Sequence, residues 1–120
     1  MARILIVEDE LLIAEDLKHK LHRLGHTVVG LAMTGEAAVQ IVREEQPDVV
    51  LMDVRLRGKM TGLEAAQRIH EAHAVPVVFV TAHAKTVARR TETQPPPLVI
   101  PKPFTSDQIE SVIKEACRGR

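Results

Sequence analysis

Apolar residues recur along the chain in two alternating rhythms. Short runs rich in β-branched residues lie at 4–7, 28–32, 49–52, 77–80 and 98–100, each too brief for a helix. Between them apolar positions repeat at helical spacing: Ala14, Leu17, Leu21 and Leu24; then Ala38, Ile41 and Val42; then Leu63, Ala66 and Ile69; and last Ile109, Val112, Ile113 and Ala116. The pattern predicts five strands alternating with helices. Thr61 with Glu64, and Thr105 with Gln108, have capping-box spacing, and Gly25 stands where the first helix should stop. A further helix is predicted over 84–93, short or loosely packed, because it carries few large apolar residues and runs into the prolines at 95–97.

Strand and helix in strict alternation imply a doubly wound α/β fold, since parallel neighbours need crossover connections and those have one preferred hand. The runs at 4–7 and 49–52 suit central strands buried on both faces, while the run holding Gly30 suits an edge. Binding sites in such sheets lie beyond the carboxyl ends of the strands, where the winding reverses. The residues just past each strand therefore matter most.

Strand one is followed by Glu8 and Asp9, strand three by Asp53, strand four by Thr81, and strand five by Lys102. Lys102 sits in QPPPLVIPKPF, between Pro101 and Pro103, so its backbone has few conformations left and its side chain is aimed. Acidic residues directly after fully apolar strands are poorly explained as a solvated surface. Two carboxylates about 4 Å apart repel by about 4 kcal/mol at an effective dielectric of about 20, so a cluster of three needs counter-charge. Lys102 supplies one unit, and a hard divalent cation the rest. All-oxygen ligands favour Mg2+.

Composition narrows the choice further. The 120 residues predict one domain over 1–120, with no output region in this chain. Sixteen basic and sixteen acidic residues cancel, leaving no overall positive field to hold nucleic acid or a membrane surface. One cysteine, Cys117, excludes an internal disulfide, and charges at Arg3, Glu8, Asp9 and Glu10 interrupt the first apolar run too early for a signal peptide. A cytoplasmic location is expected. His19 with His22, and His70 with His73, share helical faces but lack a third ligand, so zinc is not expected.

The acidic pair in ILIVEDE, the aspartate in VVLMDVRL, the threonine in VFVTAH and the lysine in IPKPF stand in order at family-like intervals. On these marks the chain resembles the receiver domain of bacterial two-component response regulators over essentially its whole length. The resemblance implies a flavodoxin-like fold with strand order 2-1-3-4-5. It implies that Asp53 accepts a phosphoryl group from a sensor histidine kinase or histidine phosphotransfer protein. Asp9, Asp53 and the backbone carbonyl of Arg55 would bind Mg2+ directly, and Glu8 mainly through water. Lys102 would pair with the phosphoryl group, and Thr81 would hydrogen-bond it in the active state. A cis peptide before Pro103 is also implied. Output would pass to a downstream effector through the surface near the fourth helix and fifth strand, and self-association as a homodimer stays open. Such a domain promotes its own phosphorylation and dephosphorylation without turning over an external substrate.

Two departures stand out. Val99 occupies the strand-five position where the family usually has Tyr or Phe, and the loop VRLRGKMTG after Asp53 is one residue longer than the commonest form. Val99 motivates an alternative, a pseudo-receiver that binds partners without phosphorylation. An aspartyl-phosphate hydrolase of the haloacid dehalogenase type is disfavoured, because Arg55 stands where that family wants a second aspartate. Arg55 and Arg57 read as solvated, and His83 as either a surface residue or one overhanging the site.

Overall fold

Successive residues of a strand face opposite sides of a sheet, and here both sides are apolar. The computed structural model describes residues 1–82, 87 and 98–118. In chain order the elements are β1 (Arg3–Val7), α1 (Leu11–Arg23), β2 (Thr27–Ala32), α2 (Gly35–Glu45), β3 (Val49–Met52), α3 (Gly62–Ala72), β4 (Val77–Thr81), β5 (Leu98–Pro101) and α4 (Ser106–Cys117). All strand pairs are parallel, in the order β2-β1-β3-β4-β5. This is the doubly wound, flavodoxin-like arrangement expected from the sequence.

The alternation divides the core in two. Ile4 and Ile6 of β1, with Val49 and Leu51 of β3, pack against Leu17 and Leu21 of α1 and Ile109 and Ile113 of α4. Leu5 and Val7, with Val50 and Met52, face the other way onto Val42 of α2 and Ile69 of α3. β1 and β3 are thus buried on both faces, while β2, with its Gly30, lies at the edge. Leu21, Ile69 and Ile109 are fully buried, and cutting any one back to alanine costs about 2–5 kcal/mol.

Local chemistry sets the helix ends. Thr61 and Thr105 both form reciprocal capping boxes, with Glu64 and Gln108. At the start of α2, Thr34 Oγ1 accepts from the Ala37 N–H at 3.0 Å, a cap without the acidic partner that would have announced it. α1 closes at Gly25, whose φ of 88° few side chains tolerate. The helix predicted over 84–93 lies outside the described residues except for Val87, which is helical and fully buried on the α2/α3 side. Among the described residues no helix is long and apolar enough to cross a membrane.

Candidate functional site

The strand order makes β1 and β3 neighbours at the point where the winding reverses, so the residues after them share one crevice. The backbone there is fixed by bonds that continue the ladders: the Glu8 N–H donates to Ala32 O at 2.9 Å and the Asp53 N–H to Val7 O at 3.0 Å. Glu8 and Asp53 are buried, and so is Thr81 at the end of β4. Beyond β5, the Lys102 N–H donates to Thr81 O at 3.1 Å, and the Lys102–Pro103 peptide is cis. Phe104 then lies under Lys20 of α1, with the ammonium 5.5 Å from the ring centre.

These constraints bring one cation between two carboxylates. Lys102 Nζ donates to Asp53 Oδ2 at 2.8 Å and to Glu8 Oε1. Asp53 Oδ1 accepts from the Val54 N–H at 2.7 Å, and Glu8 Oε2 from the Glu10 N–H at 3.2 Å. Only 13% of the Lys102 side chain is exposed, so this pairing is poorly screened by water.

Burial pushes the Glu8 carboxyl above its ordinary value and the nearby Asp53 charge adds to that, outweighing the opposite pull of Lys102 and the Glu10 N–H. Burial works to lower the Lys102 ammonium, but its bonds to Asp53 and Glu8 win and hold it above the ordinary lysine value. At Lys102 itself two carboxylates share one ammonium, an imbalance of negative charge among the described residues.

Asp9 and Glu10 deepen that imbalance. One carboxylate oxygen from each of Glu8, Asp9 and Glu10 lies within 4.8 Å of the others. Glu8 is buried, Asp9 half-buried and Glu10 exposed, and such a cluster of hard oxygen donors fits a small divalent cation of the Mg2+ type. Asp53 joins this group from the side, through Lys102. Sequence reasoning alone passes over Glu10 as a site residue, although three consecutive acids after an apolar strand are the available signal.

The remaining candidates fall into place around this centre. Arg55 and Arg57 are exposed, in keeping with solvated side chains, and Arg57 pairs by its backbone with Thr34 in an isolated parallel bridge. Val99 is half-buried and packs on the α2/α3 side of the core. His19, His22 and His70 are exposed, and among the described residues no grouping of three metal-ligating side chains includes a histidine. Cys117 is half-buried at the end of α4, against the α1/α4 core. His83 lies outside the described residues.

Comparison with known proteins agrees with this geometry. The family model for the response regulator receiver domain matches residues 4–114. The phyllosphere-induced regulator PhyR of Methylorubrum extorquens is 39% identical over 114 residues, covering 94% of this chain and 42% of that protein. The transcriptional regulatory protein PdtaR of Mycobacterium tuberculosis is 35% identical over 120 residues, 98% of this chain and 58% of its own length. The chain thus spans about half the length of these relatives. Among solved structures, the receiver domain of Erythrobacter litoralis PhyR superposes with a TM-score of 0.88 at 31% identity, covering 99% of this chain and 92% of that one. PhyR of Bartonella quintana, described as an anti-anti-sigma factor, gives 0.83 at 34% identity over 96% of this chain and 46% of its own.

Proposed function

The chain belongs to the response regulator receiver domain family, and on that premise we propose that it is a phosphoacceptor switch of a two-component phosphorelay. Asp53 takes a phosphoryl group from a phosphohistidine on a sensor histidine kinase or phosphotransfer protein. The observation that carries this reading is the part-buried ammonium of Lys102 bonded to both Asp53 and Glu8 where the winding of the sheet reverses.

Transfer forms an O–P bond at the Asp53 carboxylate as the N–P bond of the donor breaks, the electron pair returning to the imidazole nitrogen. Little covalent help is required; alignment and charge neutralisation dominate. Asp53 is aligned by its backbone bond to Val7 and its side-chain bonds to Val54 and Lys102. Lys102 lies within reach of the incoming phosphoryl oxygens. Mg2+, held by Asp9, Asp53 and the Arg55 carbonyl with Glu8 acting mainly through water, would supply further neutralisation of those oxygens. Thr81 stands at the end of the neighbouring strand, its carbonyl bonded to the Lys102 N–H. Its hydroxyl is the donor that answers the new doubly negative group.

Output passes to another protein through the segment between Thr81 and Lys102, a role in keeping with the regulators this chain resembles, one of them described as an anti-anti-sigma factor. No external substrate is turned over. The competing reading, a phosphorylation-independent interaction module, draws on Val99 at the usual aromatic position. Intact mass after incubation with acetyl phosphate and Mg2+ separates the readings. A receiver gains one labile phosphoryl group, a pseudo-receiver gains none, and a hydrolase turns over external esters instead.

A further inference from the structure

Gly62 opens α3, yet its backbone does not call for glycine: among the described residues, positive φ occurs at Gly25, Gln46 and Gly58, not here. By helix propensity an alanine would suit the position better. Space is what excludes it. A Cβ built on Gly62 falls 2.0 Å from the carbonyl oxygen of Asp53, and 2.9 Å from the Asp53 carbonyl carbon and from Val54 Cα. All three are backbone atoms, so no rotamer change relieves the clash.

The approach is held from both sides. The Gly62 N–H donates to Val54 O at 2.7 Å, drawing α3 onto the peptide that follows Asp53. The Asp53 N–H is bonded at 3.0 Å to Val7 O on β1. The Thr61–Glu64 capping box keeps the first turn of α3 wound, with bonds of 3.0 and 3.1 Å. The phosphoacceptor's own backbone is therefore clamped between a central strand and a helix start.

We propose that Gly62 is a positioning residue for Asp53: lacking a side chain, it lets the first turn of α3 seat the Asp53–Val54 peptide and so aims the carboxylate into the site. The inference rests on Asp53 being the phosphoacceptor. A methyl at position 62 must separate helix and peptide by about 1 Å to reach the 3.0 Å below which Cβ contacts essentially never occur. A displacement of about 1 Å costs on the order of 10²-fold in a reaction governed by alignment.

The test measures phosphoryl uptake from acetyl phosphate with Mg2+ by intact mass, at several donor concentrations, with the folded population read by NMR. Wild type is compared with Gly62→Ala, Thr61→Ala and Ile69→Val. Ile69→Val trims the buried core about two turns further along the same helix, away from its first turn, and it should keep the wild-type rate. Gly62→Ala should lower the maximal rate on the order of 10²-fold, with the half-saturating donor concentration little changed. Thr61→Ala, which keeps the glycine but loosens the turn, should slow uptake several-fold. If Gly62→Ala does not fold, the comparison of Thr61→Ala with Ile69→Val decides. Slowing in the former alone supports the inference, and equal rates overturn it. A wild-type rate in folded Gly62→Ala also overturns it, while leaving the phosphoacceptor reading intact. Absence of uptake on Asp53 in the wild-type chain removes that reading and this inference together, before any substitution is made.

Discussion

Lys102 Nζ lies 2.8 Å from Asp53 Oδ2, joining residues 49 apart in sequence, and the same ammonium also bonds Glu8. One cation thereby ties the segment after β5 to the ends of β1 and β3. Stability and chemistry at this site are linked through that cation.

The lysine's titration should show in stability. Its folded value is raised above the ordinary 10.5, so the ammonium stabilises the fold fully below that pH, and the contribution is lost as pH rises through the folded value. Lys102→Met should lack this alkaline loss. It should also be less stable near neutrality by about 3 kcal/mol, the low end for a buried pair that loses one partner. Urea unfolding from about pH 7 to about pH 12 checks both points. Curves for the two proteins that run parallel through the alkaline range would show that Lys102 is not what titrates.

Asp9 should matter more to metal binding than Glu8. On the proposed ligand set Asp9→Ala would remove a direct oxygen ligand, and it should weaken Mg2+ at least about tenfold, roughly 1.4 kcal/mol, with slower phosphorylation. Glu8→Ala should do less, because Glu8 is engaged by Lys102 and the Glu10 N–H. The chain has neither Trp nor Tyr, so calorimetry or NMR must follow the titration. Equal losses in the two variants would mean that their roles at the metal are wrongly divided.

Thr81 should carry the response rather than the transfer. With a stable phosphoryl mimic bound, hydrogen exchange should change between Thr81 and Lys102 while 38–43 of α2 stays nearly constant. Thr81→Ala should still accept phosphate but lose most of that change. If the exchange difference survives intact in the variant, the signal runs through Lys102 instead. Val99, half-buried against the core, makes this a direct test of whether an aromatic relay is needed.

Much of this is readable in the sequence because the relevant patterns are local. The runs at 4–7 and 49–52 are short, rich in branched residues and apolar at every position, which suits a strand buried on both faces, and β1 and β3 are such strands. Thr61 with Glu64, and Thr105 with Gln108, announce their helices because capping-box partners sit three residues apart. The start of α2 is silent, since Thr34 caps it without an acidic partner.

The less legible parts are contacts between distant segments. The residues that end each strand are enough to place the crevice, but not to reveal that Lys102 bonds Glu8 as well as Asp53. Nor does the string of letters say that Gly62 lies on the Asp53 carbonyl, or that Arg57 reaches Thr34. Glycine at a helix start looks merely permissive until the neighbouring peptide is in view.

Asp53→Asn puts the assignment to its plainest trial. The amide keeps the shape of the side chain, loses the nucleophile and removes a like charge from beside Glu8, so the variant should fold at least as stably as wild type without Mg2+. Intact mass after acetyl phosphate and Mg2+ treatment, followed by peptide mapping, should show one labile phosphoryl group on Asp53 in the wild type and none in the folded variant. Undiminished uptake in Asp53→Asn, or a phosphoryl group mapped to another residue, would contradict the assignment of Asp53 as phosphoacceptor.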